Sequence, residues 1–245
     1  QVAEQPSEQR DAPADLGESL DATIAGVELT AGWRREWRVT RLAAALGVVA
    51  SRVDPELGGS FDRQVGTLEV DLDREPSRRP WRLVQSVHVR LDEGASDGES
   101  WRQTGGEVSL GAGFESSAVV LTWQRHTVRG DPSRFDLLQL GGVAGSLLPR
   151  SATGGRIAVP ALPAATLVGE EHEGQKASLT IAGVPLFFER HRVWDRGGAK
   201  GEWLRVAGIE VDMTSPPISL VKLPGLRLRV GAARILDEPL RDENR

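Results

Sequence analysis

Alternation of apolar and polar positions dominates the chain from about residue 21 onward. In GTLEVDLDRE, Leu68, Val70 and Leu72 alternate with Glu69, Asp71 and Asp73, the period-two signature of a half-buried strand. ATIAGVELTAGW sets Ala25, Val27, Leu29, Ala31 and Trp33 against Glu28, Thr30 and Arg34. The rhythm recurs in LAAALGVVA (42–50), WRLVQSVHVRL (81–91), GGEVSLGAGF (105–114) and SAVVLTWQRHTV (117–128). KASLTIAG, VPLFFERHRVW, EWLRVAGIEVDM and GLRLRVGAARIL carry it to residue 236. About ten strands joined by turn-rich segments predict an all-β, antiparallel fold.

What lies against each face decides the architecture. Many of these stretches run about ten to fifteen residues, whereas globular strands run ~5 to 6 and tilted bilayer-crossing strands ~9 to 11. One face is rich in Leu, Val and Ala, and the other carries charges of both signs. Lipid outside and a charged lumen inside give that pattern; so does a soluble sandwich with its core on the apolar side. Trp33, Trp37, Trp81, Trp194 and Trp203 fall near strand ends, where an interfacial girdle places them. Against the membrane reading, tyrosine is absent, and Arg125 and Arg205 fall on nominally apolar faces. The weight favours an antiparallel transmembrane β-barrel of about 10–12 strands, with a soluble β-sandwich or β-barrel as the alternative.

Connections follow a partial pattern. Tight ones are expected near Trp37, Ser116 and Gly183, and long ones at 54–60, 94–100, 130–170 and 196–201. Short and long connections alternate in this way in membrane barrels, although DREPSRRP (73–80) interrupts the order. Residues 1–20, rich in Gln, Glu, Asp, Pro and Ser, read as a disordered or loosely attached leader, and 21–245 as the barrel domain with its long loop at about 130–170. ILDEPLRDENR offers no closing strand, so the barrel reading expects the chain to be a fragment without its closing strand, and a strand before Asp21 to be missing or supplied by the leader.

Composition narrows the chemistry. The net charge is −5 with mixed signs, which leaves no basic footprint for nucleic acid. Cysteine is absent, so disulfides and thiolate metal sites are excluded. The longest apolar run, LAAALGVVA, is about half the ~18 to 20 residues of a spanning helix.

TWQRHTVRGDPSRFDLLQLGGVAGSLLP joins a long strand to F-x-x-L-x-L-G-G. It resembles the R-F-x-L-G-G outer-loop segments of bacterial outer-membrane β-barrel proteins, including surface-antigen-type assembly and secretion proteins. Those proteins continue with Arg-Gly-Phe or Arg-Gly-Tyr, where this chain has Val143-Ala144-Gly145-Ser146. The resemblance therefore implies a barrel fold and an outer-membrane location, and carries over no assembly or secretion activity. A periplasmic or secreted location goes with the soluble alternative. The implied partner is a lipid bilayer, with other envelope proteins as further candidates and no nucleic acid.

Glu69, Asp71 and Asp73 form an acidic row, and Arg82, His88 and Arg90 a basic row on the next strand. Antiparallel pairing would set the rows face to face, giving a transverse field in a pore or a salt-bridged plug. With Arg227 and Arg229 on the last strand, these are the pore-lining candidates. The plain alternative is a solvated face with weak ion pairs. EEHE (170–173) matches no metal-ligand spacing and reads as a charged loop. G-x-S-x-G is absent, HExxH and HxxEH are absent around His191, and no phosphate loop follows a strand. No catalytic residue, metal or cofactor is predicted. The expected function is a passive pore or structural envelope component. A soluble β-sandwich or lipid-binding module comes second, and a barrel-borne lipid hydrolase using His126 with Ser117 or Ser86 third.

Overall fold

The computed structural model describes residues 22–55, 59–78, 80–133, 135–141, 155–157, 159, 162, 167–181, 184–214 and 227–237. Their strands, in chain order, are β1 (Ala22–Trp37), β2 (Thr40–Pro55), β3 (Phe61–Arg74), β4 (Ser77–Arg78), β5 (Trp81–Ser96), β6 (Glu99–Phe114) and β7 (Ser117–Gly130). They continue as β8 (Leu138–Leu140), β9 (Gly155–Ile157), β10 (Leu167–Gly169), β11 (Glu171–Ile181), β12 (Val184–Trp194), β13 (Leu204–Thr214) and β14 (Arg227–Ile235). The protein is all-β among the described residues.

An 11-stranded antiparallel sheet follows the path β1-β2-β3-β5-β6-β7-β11-β12-β13-β14, with β4 paired to β5 off that path. Neighbours on the path are neighbours in sequence except where β4 stands between β3 and β5 and where β8, β9 and β10 stand between β7 and β11; the latter three form a separate small sheet in the order β10-β8-β9. Among the described residues no pairing joins β1 to β14, so the large sheet has two free edges. β4 explains the interruption at DREPSRRP: Ser77 and Arg78 pair with Arg82 and Trp81. Segment 94–100, expected as a long loop, is instead a two-residue turn. Asp97 and Gly98 both take positive φ, 53° and 84°, the paired left-handed geometry that an Asp-Gly hairpin favours. β5 and β6 therefore run to Ser96 and from Glu99 without a gap.

The two faces of the large sheet are sorted in an unusual direction. Leu29, Leu46 and Val48 are 73%, 63% and 62% exposed, and Leu68, Leu83, Val89, Leu110, Leu121, Phe188 and Ile209 are exposed on the same face. The opposite face holds Arg63, Asp92, Gln103, Ser109, Thr122, His172, Glu189 and His191, all buried. Buried polar side chains thus line the inner face, and large apolar ones stand exposed on the outer. The enclosed space is filled in part by the small sheet. Leu140, Ile157, Val159 and Leu162 pack in one cluster with Phe187, Leu204, Val206 and Ile235 on the inner face of β12, β13 and β14.

On its far side, the segment before β8 reaches β3, where the Phe135 and Phe61 rings lie 5.8 Å apart. β3 and β12 are five pairings apart along the sheet, about 24 Å if flat at ~4.8 Å each. Contact with both walls means the sheet curls around this insert.

The apolar band on the outer face does not run along the hydrogen-bonded rows. Its border toward the 54–60 and 195–203 connections steps through Ala50, Leu68, Leu91, Val108, Trp123, Ala177, Phe188, Ala207 and Ala232 on successive strands. Through the register, Ala50 aligns with Ala95 of β5, whereas Ala232 aligns with Leu83 of the same strand. The border thus slides about twelve residues, or ~40 Å, over eight strand spacings, or ~38 Å. Strands crossing the band at about 45° account for this slope, the tilt found in closed barrels.

Gly94 is fixed by a close approach. A Cβ at this position would meet the Trp101 ring edge, and Trp101 is buried with Val49 and Val65. Gly94→Val is expected to cost about 1–3 kcal/mol by overpacking, read as a lower denaturant midpoint; an unchanged midpoint would show that Trp101 can move aside.

Candidate functional site: the charged inner wall and its insert

Strict alternation along β3 and β5 sends every second side chain inward, and antiparallel register brings the acidic and basic rows together. Glu69 is opposite Arg90 and Asp71 opposite His88. Arg90 Nη1 donates to Glu69 Oε1 at 2.9 Å and Arg90 Nε to Asp92 Oδ2 at 2.8 Å. His88 Nδ1 and Asp71 Oδ1 are 2.5 Å apart. Asp73 turns the other way and pairs with Arg41 on β2. Arg82 lies 3.8 Å from Glu75 in the β3–β4 connection. Arg227 and Arg229 lie on β14 opposite Thr214 and Asp212, with their side chains outside the described residues.

Apart from the pair that Arg90 makes with buried Asp92, these pairs are half-buried or exposed, and pairs of that kind contribute about 0–1 kcal/mol each. Their role is to fix register and to set the charge of the wall. A far stronger interaction sits deeper and was not read from the sequence. Asp136 of the insert is fully buried, and its carboxylate accepts hydrogen bonds from Arg63 Nε at 2.5 Å, Ser96 Oγ at 2.6 Å and Ser133 Oγ at 2.5 Å. Arg63, 3% exposed, also lies 5.6 Å from the Trp101 ring centroid, and Trp101 Nε1 donates to Ser96 Oγ at 3.2 Å. Several groups thus share the desolvation of one buried ion pair. The latch ties the insert to β3 and β5, while its apolar cluster ties it to β12, β13 and β14.

The second enclosed cluster is a row of imidazoles across three neighbouring strands. His126 on β7, His172 on β11 and His191 on β12 have successive ring centroids 5.4 Å apart. His172 Nε2 and His191 Nδ1 share a hydrogen bond of 3.1 Å. The His126 ring lies against Gly105, where a Cβ would collide with it. His172 Nδ1, His191 Nε2, Gln124 Oε1 and Glu189 Oε1 are buried without hydrogen-bond partners; atoms of this kind draw water into a wall. Among the described residues no three His or acidic side chains are arranged to hold a metal ion.

EEHE is not a loop. Glu171, His172 and Glu173 lie on β11, where alternation places His172 inside and both acids outside, against Arg125 and Arg192. Ser117 pairs with Phe114 at the far end of β7, and Ser86 pairs with Ser109. Neither serine is hydrogen-bonded to His126 among the described residues. Arg125 and Arg205 lie outward with Trp123 and Ala207, as their parity requires. They stand just past the end of the apolar band, where Arg125 meets Glu171 at 2.5 Å and Arg205 meets Asp237 at 3.8 Å.

No known family model matches the chain, and no curated protein matches it.

Arg63→Ala is expected to lower stability by about 3–5 kcal/mol, since Asp136 would remain buried and unpaired. Limited proteolysis should then cut within 131–170 faster than in the unaltered chain. Replacing both partners, Arg63→Met with Asp136→Leu, should recover most of the loss; no recovery would show that the pair holds the insert through more than its charges.

Proposed function

We propose that the chain forms an outer-membrane β-barrel that serves as a structural envelope component, its lumen occupied by its own insert. One observation carries the reading: among the described residues, nine strands carry large apolar side chains on the outward face, while buried charged and polar side chains lie on the inner one. In water such a face would be an aggregation surface far larger than the few hundred Å² usual for a soluble monomer. In a bilayer it is the wall that lipid requires.

The band supports the reading in its dimensions as well. On β5 it runs from Trp81 to Leu91 with Gln85 as a polar residue of the same parity, about 33 Å along the strand and about 23 Å once tilted by ~45°, near the height of a lipid-facing band. Trp33, Trp37, Trp81 and Phe114 stand at the 38–39, 75–80 and 115–116 end of the strands, and Trp123, Trp194 and Trp203 at the other border. Aromatic residues at both borders are what an interfacial girdle needs. β1 and β14 run in opposite directions along the path, so lateral pairing of these edges would close an antiparallel barrel and remove both.

The insert favours a plugged barrel over an open pore. It meets the inner wall on opposite sides, through Asp136 and through the cluster around Leu140 and Val206. In this reading Glu69, Asp71, Asp73, Arg82, His88 and Arg90 line a neutralised interior, and ions pass when the insert leaves. A second reading, an open sheet whose apolar face is covered by a soluble partner layer, is favoured by the unpaired β1 and β14 edges.

The readings separate in solution. The barrel reading expects aggregation without detergent and a heat-modifiable β-rich form in detergent or vesicles; a monodisperse detergent-free monomer would overturn it. Val70→Arg should impair insertion by about 2–4 kcal/mol. Planar bilayers should show low conductance for the unaltered chain and a marked rise for Arg63→Ala with Asp136→Ala.

A further inference from the structure

We propose that the outer collar formed by Arg125, Arg190, Arg192 and Lys200 around Trp194 and Trp203 binds phosphorylated lipid headgroups. The assignment rests on the barrel reading above, since it needs a leaflet beside the apolar band.

Position is the first argument. On five neighbouring strands the residue two places beyond the last apolar one is polar: Arg125 after Trp123, Gln175 before Ala177, Arg190 after Phe188, Arg205 before Ala207 and Arg234 after Ala232. Four of the five are arginine. They form a line parallel to the band's border, one side-chain step above the hydrocarbon level, where headgroup phosphates lie.

Charge and geometry are the second. Arg190 and Arg192 lie 4.5 and 4.3 Å from the Trp203 ring centroid. Arg125, Arg192 and Lys200 lie 4.9, 5.4 and 5.6 Å from that of Trp194. Four cations therefore share two indole faces. Glu171 pairs with Arg125 and Glu173 with Arg192, and Glu170, Asp195 and Glu202 stand in the same rim. Arg190 donates from Nε and Nη2 to the neutral Gln175 amide oxygen, at 2.9 and 2.6 Å, so its charge is held in place without being neutralised. Among the described residues Arg190 and Lys200 have no carboxylate within ion-pair distance, and both lie against the indoles. Guanidinium groups held this way offer paired donors to a phosphate, and the indoles anchor the same site at the interface.

The test uses the full chain in phosphatidylcholine vesicles carrying a trace of spin-labelled phosphatidic acid or spin-labelled phosphatidylcholine. Insertion is scored separately by heat-modifiable migration. Association with phosphatidic acid is expected to exceed that with phosphatidylcholine by on the order of tenfold, from about two cations that no carboxylate pairs with. Arg190→Gln with Arg192→Gln and Lys200→Gln should reduce the ratio toward one while insertion stays intact. Arg125→Gln with Lys200→Gln, both at exposed positions, gives the same reading should the triple variant fail to fold. An unchanged ratio in a folded, inserted variant would overturn the site. Loss of the preference on adding millimolar inorganic phosphate would assign the collar to free phosphate and overturn the lipid assignment. Failure of the unaltered chain to insert at all would defeat the barrel reading and this site with it.

Discussion

Asp136 meets Arg63, Ser96 and Ser133 at 2.5 to 2.6 Å in a place where neither charge reaches water. A buried pair of this kind holds when every lone pair and proton is matched, and the matching groups come from three separate stretches: β3, the end of β5 and the insert. The inner face can therefore be both polar and buried. With its charges satisfied from within, the wall is free to present leucine, valine and tryptophan outward, and the insert is held between β3 and β14 without a large core of its own.

The outer face follows from the same division of labour. Each strand keeps one parity for the interior and one for the exterior, so a single border residue per strand marks where apolar gives way to polar. Because the border crosses the register at about 45°, the sheet carries a record of its own tilt. Cross-strand pairs such as Glu69–Arg90 and Asp71–His88 lock that register, since a one-residue slip would send charges outward and leucines inward.

Much of this was legible in the sequence. The alternation in GTLEVDLD and WRLVQSVHVRL identified both faces, and of the acidic and basic rows Glu69 meets Arg90 and Asp71 meets His88 across one ladder, while Asp73 and Arg82 find other partners. Arg125 and Arg205, which looked like exceptions, mark the end of the apolar band. What was hidden depended on contacts distant in sequence. Nothing local to Asp136 announces Arg63, 73 residues away, and three-residue strands such as β8 are too short to show a period. The row of His126, His172 and His191 spans three strands, so its alignment appears once register is known. EEHE misled because its composition reads as loop, while its alternation, acid outside and imidazole inside, is that of a strand. Asp97-Gly98 carried a recognisable hairpin signal that the surrounding glycines and acids in DEGASDGES obscured.

The central claim is that lipid covers the outward parity and not the inward one. The chain has no cysteine, so single cysteines can be introduced at Leu110 and Leu121, at their inward neighbours Ser109 and Thr122, and at Glu93 beyond the border. Spin labels there, in vesicles, would be probed with dissolved oxygen and a water-soluble nickel chelate. The account predicts high oxygen and low chelate accessibility at 110 and 121, low accessibility to both at 109 and 122, and high chelate accessibility at 93. Equal chelate accessibility at 110, 121 and 93 would contradict it, because water or a soluble partner would then lie where the bilayer is required.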